Sequence, residues 1–150
     1  LNRTNNLHVV VALNSAALNG AKTQAQQVAN INNIVSDYEK YGLTIGTDVD
    51  IVVIGYGAGA RWLLTDTSFD TFFGTDAATV EANVALPVIT SLITKGVKFF
   101  ACQNTMINTK IPGTTTNIKT TDLTPEVNMV PAGVTALLDF QYLRYQYIAP

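Results

Sequence analysis

The stretch LHVVVAL, residues Leu7–Leu13, decides the fold. It is a continuous apolar run interrupted only by His8, whereas a strand with one solvated face would alternate apolar and polar side chains. The run therefore predicts a strand buried on both faces of a parallel sheet. A second run, VDIVVI at Val49–Ile54, predicts another strand of the same kind. Because function concentrates at the carboxyl ends of such strands, the early position of His8 indicates a structural role.

A helical period separates these two runs. Between Ala21 and Tyr41 apolar residues recur three and four positions apart, which places them on one face of a helix. They are Val28, Ile31, Val35 and Tyr38. Gly42 follows as a left-handed stop signal. A strand, an amphipathic helix and a second strand indicate a βαβ unit, in which the two strands are parallel.

The rest of the chain continues this alternation. Val97–Ala101 and Val127–Val130 are expected to be strands. A helix is expected over Val80–Thr94, with a break or a start near Pro87, and a last helix from about Val134 to Tyr147. The pattern predicts an α/β fold, a three-layer α/β/α sandwich with a mainly parallel sheet of four or five strands, in a single domain over residues 1–150.

Three shorter segments depart from the alternation. Arg61–Leu64 predicts a short helix that ends in polar residues. Phe69–Thr79 is expected to be irregular, and its three phenylalanines must be buried, either by folding back as a lid or by facing another subunit. Pro112–Asn117 consists of turn residues and predicts a loop.

Composition narrows the classes of function. The 150 residues carry a net charge of −2 and have a pI near 5.1, which gives no basic surface for nucleic acid or for an anionic membrane. No apolar run approaches the ~20 residues that span a bilayer, so the chain is expected to be soluble. It begins with Leu1 rather than Met, which leaves a removed export signal open. One cysteine rules out an intramolecular disulfide, and with one histidine it gives no convincing metal site.

A functional site is expected beyond the carboxyl ends of the strands, where ligands bind in open parallel sheets. Four turns should meet there: Asn14-Ser15, Gly55–Arg61, Cys102–Thr105 and Pro131–Gly133. They collect polar and glycine residues together with the only thiol. This convergence favours a functional cysteine, because cysteines that only pack have no preference for such an edge.

Cys102 lies where a predicted strand meets a predicted helix. The thiolate is the reactive form of cysteine, and the free N–H groups of a helix N-terminus lower a thiol pKa. Asn104 and Thr105 are residue types that open helices. The opposite interpretation is inert packing, since free cysteine is among the most buried residue types.

The turn Gly55–Ala60, GYGAGA, matches the dinucleotide fingerprint G-x-G-x-x-G/A. Such sites place an acidic ribose ligand at the end of the next strand, but Asp76 and Glu81 follow no predicted strand. The turn is therefore better interpreted as a cradle of backbone N–H groups for a small anion or a thiol adduct than as a nucleotide site. A simple tight turn is the structural alternative. Arg61 either holds a thiolate or a sulfur oxyanion or is solvated.

Taken in order, these segments resemble the DsrE/DsrF-like family, which has the YchN-like fold. The resemblance spans nearly the whole chain, and the Cys-x-Asn-Thr element that begins at Cys102 is its most specific part. The segments that carry it are Leu13-Asn14, Ala29–Asn33 (ANINN), Val53–Gly59 (VIGYGAG), Gly96–Met106 (GVKFFACQNTM), Val130–Val134 (VPAGV) and Tyr147–Pro150 (YIAP).

The resemblance implies a cytoplasmic three-layer subunit that assembles into trimers or hexamers. It also implies that Cys102 is the functional residue and carries sulfur as a persulfide, with no further cofactor. The chain departs from the compact family pattern by extra residues around Phe69–Thr79 and Pro112–Asn117, and both segments are expected near the cysteine.

The leading hypothesis is a sulfur-relay protein, in which Cys102 accepts a sulfane sulfur from a donor and passes it to an acceptor, either a protein or a small thiol. The supporting residues are Asn14, Gly57, Gly59, Arg61, Asn104 and Thr105. The alternative is a small-ligand-binding or scaffold oligomer in which Cys102 only packs. A third hypothesis is nucleotide binding at Gly55–Ala60. Neither nucleic acid nor a membrane is expected as a partner.

Overall fold

A computed structural model describes residues 7–75 and 81–150. These residues form one five-stranded sheet in the spatial order β4-β3-β2-β1-β5, and every neighbouring pair is parallel. The strands are β1 Leu7–Leu13, β2 Val49–Gly55, β3 Lys98–Cys102, β4 Asn128–Val130 and β5 Gln146–Ile148. The predicted α/β sandwich on a parallel sheet is confirmed.

Helices cover both faces of this sheet. They are α1 Gln26–Lys40, α2 Asp66–Phe73, α3 Leu86–Thr94, α4 Gln103–Asn108 and α5 Gly133–Tyr142. Two 3-10 turns, Gly57–Leu63 and Thr120–Asp122, complete the described elements.

Chain direction decides which face each helix covers. From β1 to β4 each strand is added on the same side of the previous one, so right-handed crossovers put α1 and α3 on one face. The step from β4 to β5 runs back across the sheet to the far edge, so the same handedness puts α5 on the other face. The core divides accordingly. Alternate strand residues Val9, Val11, Ile51 and Val53 belong to the large layer, and Val10, Ala12, Val52 and Ile54 pack with α5.

Strand register aligns the carboxyl ends. β1 and β2 pair along their full length, from Leu7 with Val49 to Leu13 with Gly55. Gly55 also pairs with Ala101 of β3, and the next residue, Cys102, pairs with Val130 of β4. The turns that follow the first four strands therefore leave from one edge of the sheet.

The last helix is shorter than its periodicity predicts. It ends at Tyr142, the chain turns at Arg144 with a φ of 69°, and Gln146–Ile148 pairs with β1. The predicted helix from about Val134 to Tyr147 is therefore wrong over its final turn. The spacing of Tyr147 from the preceding apolar residues fits a helix, but pairing at an open sheet edge satisfies the same backbone groups.

The segment predicted to be irregular from Phe69 contains a helix instead. The Thr65 hydroxyl caps α2 by accepting a hydrogen bond from the Ser68 N–H at 3.3 Å. Phe69 is buried and stacks on Trp62 with ring centroids 5.5 Å apart, so the aromatic residues fold back on their own chain. The remainder of that segment, residues 76–79, lies outside the described residues.

Two other helix boundaries also differ from expectation. α1 starts at Gln26 rather than Ala21, because Asn19 accepts hydrogen bonds from the N–H groups of Thr23 and Gln24 and holds a turn there. α3 starts at Leu86 with a proline in its first turn, so Pro87 marks a start and not a break.

The amino edge of the sheet holds a polar cluster under the end of α5. Asp50 on β2 accepts a hydrogen bond from the Tyr145 hydroxyl at 2.5 Å and pairs with Lys98 Nζ at 2.9 Å. The ring of His8 packs against that of Tyr145 in a tilted arrangement, with centroids 4.9 Å apart, consistent with its expected structural role. Burial raises the pKa of Asp50, but the hydrogen bonds from Tyr145 and Lys98 outweigh it, and the net pKa lies below the ordinary value.

We expect Tyr145→Phe to destabilise the protein by about 1–3 kcal/mol at pH 7, because Asp50 loses a donor to its charged form. Burial and the bond to Asp50 raise the pKa of Tyr145 to about 12. A folded-state pKa above the unfolded value of about 10 stabilises the fold below pH 10, and this contribution is lost as the pH rises towards 12.

Urea unfolding of the wild type and Tyr145→Phe from pH 7 to 12 measures the effect. The stability difference should shrink above pH 10. Tyr41→Phe is the matched control, since Tyr41 is 81% exposed and its loss of a hydroxyl should leave the stability unchanged. A pH-independent difference would contradict the assignment to the hydroxyl.

Candidate functional site

The carboxyl ends of β3 and β4 form a topological switch point. The chain leaves β3 into α4, whose Met106 lies in the core layer shared with α1, whereas it leaves β4 into α5 on the opposite face. Connections that diverge to opposite faces leave a crevice between adjacent strand ends, and ligands of open α/β sheets bind there. Cys102 is the last residue of β3 and Gly133 is the first of α5, so the thiol lies at this crevice.

Gly133 contacts the sulfur directly. Its N–H donates a hydrogen bond to Cys102 Sγ at 3.1 Å. A Cβ at position 133 would lie 2.8 Å from the Cβ of Tyr56 and 3.2 Å from the Cβ of Cys102, so only glycine fits without displacing them. The sequence placed the Pro131–Gly133 turn at this edge but did not identify Gly133 as a site residue. A glycine directly after a strand, opening a helix, was the available signal.

Thr105 connects the thiol to the glycine turn. Cys102 itself is the N-cap of α4, so Asn104 and Thr105 lie in the first turn of the helix rather than at its cap. The Thr105 hydroxyl accepts a hydrogen bond from the Gly57 N–H at 3.0 Å, and it donates its own proton towards the sulfur. A hydroxyl polarised in this way is a better donor to a thiolate.

The surroundings of Cys102 favour its ionised form. The residue is 5% exposed, and this burial raises the thiol pKa. The Thr105 hydroxyl, with the N–H groups of Thr105, Gly133 and Asn104, acts in the opposite direction and prevails, so the net pKa lies below the ordinary value. The site therefore supplies a thiolate at lower pH than a free thiol would.

A cleft of about 500 Å³ borders the same helical turn. It includes four of the predicted site residues, Gly57, Arg61, Asn104 and Thr105. Its remaining lining residues are Ala58, Ala60, Phe73, Met106, Asn108, Thr109 and Ile118. Phe73 comes from the segment expected near the cysteine, whereas Pro112–Asn117 does not line the cleft. Thr105 and Asn104 connect the cleft to Cys102, because each lines the cleft and offers a donor to the sulfur.

Asn14 and Gly59 lie outside this cleft. Asn14 is exposed and donates from Nδ2 to the Tyr56 hydroxyl at 3.2 Å. Gly59 packs the 3-10 turn against the end of β1, where an added Cβ would lie 2.5 Å from the carbonyl oxygen of Leu13. These contacts give Gly59 a packing role, which is the structural alternative weighed for this turn.

The described residues contain no strand between β2 and β3. An acidic ribose ligand at the end of such a strand has no counterpart among the described residues, where Glu81 lies outside any strand; Asp76 lies outside the described residues. Over the same ranges no group of three or more His, Cys, Asp or Glu side chains is placed to hold a metal ion. No helix in the described part of the chain is long and apolar enough to cross a bilayer.

Comparison with known proteins places this geometry in a family. No curated protein matches the chain significantly. A similar solved structure is MTH1491 of Methanobacterium thermoautotrophicum, described as a protein of unknown function. It aligns with a TM-score of 0.63 and 22% identity over 97% of this chain and 100% of its own, which shows a shared fold. The model of the DsrE/DsrF-like family matches residues 2–150, and the chain therefore belongs to the DsrE/DsrF-like family.

Proposed function

We propose that this protein is a sulfur-relay protein in which Cys102 carries a sulfane sulfur as a persulfide. Membership of a family of sulfur-relay type supports this function. The observation that carries it is the set of donors around Cys102, three N–H groups and one hydroxyl, which together lower the pKa of a thiol that burial alone would raise. A relay needs such a thiolate, because the thiolate is the attacking species.

The transfer needs no external oxidant. The Cys102 thiolate attacks the outer sulfur of a donor persulfide, RS–SH. A new S–S bond forms as the donor S–S bond breaks, and its electron pair leaves with the donor as RS⁻. Attack of an acceptor thiolate on the outer sulfur of the Cys102 persulfide then reverses this step and restores the Cys102 thiolate. The donor and the acceptor are each a protein or a small thiol.

A scaffold or small-ligand-binding oligomer is the second candidate function. The observation that favours it is the low exposure of Cys102, 5%, since a buried cysteine that only packs is the common case. The two functions differ in chemistry. A relay thiol reacts in the folded protein, whereas a packing thiol reacts only after unfolding.

We further propose that copies of this chain assemble through α5. This helix buries only Gly133, Ala136 and Leu137. Its outer face and the turn after it are apolar and exposed, at Val134, Leu138, Tyr142 and Leu143. Exposed apolar patches mark association surfaces, and the interfaces of homo-oligomers are more apolar than the rest of the surface.

Intact mass after incubation with a persulfide donor tests the relay. We expect the folded wild type to gain the mass of one sulfur atom, reversibly with reductant, and Cys102→Ser to gain none. A wild type that gains no sulfur while folded, although its unfolded chain is readily alkylated, would reject the relay in favour of the packed cysteine.

Thr105→Val tests the hydrogen bond that ties the thiol to the glycine turn. Loss of the hydroxyl donor should raise the pKa of Cys102. Alkylation at a pH below that pKa should then slow by about tenfold, which corresponds to the free energy of one hydrogen bond to a charged group. The measurement is the rate of iodoacetamide labelling against pH. Thr94→Val is the matched control, because the Thr94 hydroxyl bonds only to the Thr90 carbonyl on α3. An unchanged pH midpoint in Thr105→Val would contradict the role given to Thr105.

Tyr142→Glu tests the assembly surface. A charge in the centre of an apolar interface should weaken self-association by at least about tenfold, visible as smaller species in sedimentation velocity. Tyr41→Glu is the matched control, because Tyr41 is 81% exposed and ends α1 on the opposite face of the sheet. Equal assembly of the two variants would place the interface elsewhere, and a monomeric wild type would reject it.

A further inference from the structure

The cleft beside Thr105 has the size and the polarity of a small-molecule site. Its volume of about 500 Å³ lies within the range of ligand pockets, roughly 300–1,000 Å³. Among the described residues, its lining contains one cation, Arg61, and no acidic residue. A cleft with this charge favours an anionic ligand.

Arg61 is held in place by an aromatic ring and has no anionic partner among the described residues. Its guanidinium lies over the ring of Phe73, 4.3 Å from the centroid. Phe73 packs on Phe69, and Phe69 stacks on Trp62, so the platform under the guanidinium belongs to the core. Among the described residues no carboxylate forms an ion pair with Arg61, and its Nε is buried with no hydrogen-bond partner.

The unpaired Nε shows that the hydrogen-bonding capacity of the guanidinium is not used up within the described part of the chain. A buried donor without a partner costs about as much free energy as a lost hydrogen bond, and buried charges are normally paired. Burial also lowers the pKa of Arg61, which an anion in the cleft would reverse. The guanidinium fork is suited to two-point recognition of carboxylates and of sulfur or phosphorus oxyanions.

Asn104 adds a second donor to the lining of the cleft. Its side-chain amide makes no hydrogen bond within the described residues, whereas Asn108 and Thr109 already donate to backbone carbonyls of α4. Asn104 is also the second residue after Cys102 and offers its own N–H to the sulfur. A ligand held by Arg61 and Asn104 would thus extend towards the thiol.

We propose that this cleft binds the anionic part of a small-molecule sulfur donor or acceptor, whose sulfur reaches Cys102 past Thr105. The proposal rests on the relay function and names its substrate class. Two kinds of molecule carry an anionic group together with a sulfane sulfur. One is the persulfide of a carboxylate-bearing thiol, and the other is thiosulfate.

Both sources transfer sulfur without a further reagent. With a persulfide, Cys102–S⁻ and RS–SH give Cys102–S–SH and RS⁻. With thiosulfate, Cys102–S⁻ attacks the outer sulfur of S–SO₃²⁻, the S–S bond breaks, and sulfite leaves with the electron pair, giving Cys102–S–S⁻ and SO₃²⁻. In each case the leaving group keeps the anionic charge that Arg61 binds.

The first experiment separates binding from transfer. Glutathione and thiosulfate are titrated calorimetrically into Cys102→Ser, which keeps the cleft but has no reactive thiol. We expect one of them to bind, and Arg61→Gln in the same background to weaken binding at least about tenfold, the effect of losing a charge-assisted bidentate contact. Arg144→Gln is the matched control, because Arg144 is exposed and far along the chain from the cleft. The two probes decide between an organic carboxylate and an inorganic sulfur oxyanion.

Arg61→Lys distinguishes the loss of a ligand contact from a folding defect. It keeps the charge and should keep part of the binding, whereas a purely structural role for Arg61 predicts the same loss in both variants, together with a lower melting temperature. No binding of either probe to Cys102→Ser, or equal weakening by Arg61→Gln and Arg144→Gln, would overturn the proposal.

The second experiment measures transfer to Cys102. Sulfur loading of the wild type and Arg61→Gln is followed by mass with glutathione persulfide and with the persulfide of 2-mercaptoethanol, whose organic part is neutral. Arg61→Gln should slow loading from the first donor about tenfold and leave the second within about twofold. An equal loss with both donors would overturn the proposal. If the wild type takes sulfur from neither donor, the relay itself fails, and the binding titration still decides whether the cleft is an anion site.

Discussion

The handedness of the strand crossovers is the constraint on which the rest of this structure depends. Four strands are added in one direction, and the fifth is reached by returning across the sheet. A right-twisted strand packs its crossover back on the sheet in one hand only, so that reversal sends α5 to the face opposite α1 and α3. The crevice between β3 and β4 is a direct consequence, and it is where Cys102 lies.

The chemistry at this crevice depends on donors that come from separate parts of the chain. Gly133 reaches the sulfur because it opens the helix that leaves on the far face. Asn104 and Thr105 reach it because Cys102 caps the helix on the near face. A thiol that burial would keep protonated is thereby surrounded by groups that favour the thiolate. Thr105 also borders the cleft of Arg61, so one hydroxyl joins the reactive atom to the adjoining binding space.

The elements that a strong local sequence pattern indicates were predicted correctly. The apolar runs at Leu7–Leu13 and Val49–Ile54 can only be satisfied inside a sheet covered on both faces, and they form its central strands. Weaker local patterns failed where tertiary contacts outweigh them. Tyr147 fits a helical stripe but lies on β5, which pairs with β1. The phenylalanines from Phe69 lie on a helix, because Thr65 caps it and Trp62 packs against it.

The sequence by itself determined the parallel α/β class, the edge at which the glycine turns meet and the single thiol at that edge, because periodicity and strand polarity are local properties of the chain. Only the tertiary structure decided that Gly133 donates to Cys102 and that Arg61 faces a cleft without an acidic partner among the described residues. Those facts depend on distances between residues far apart in the chain. Such distances follow from the packing of whole layers and from the hand of the last crossover, which no local pattern records.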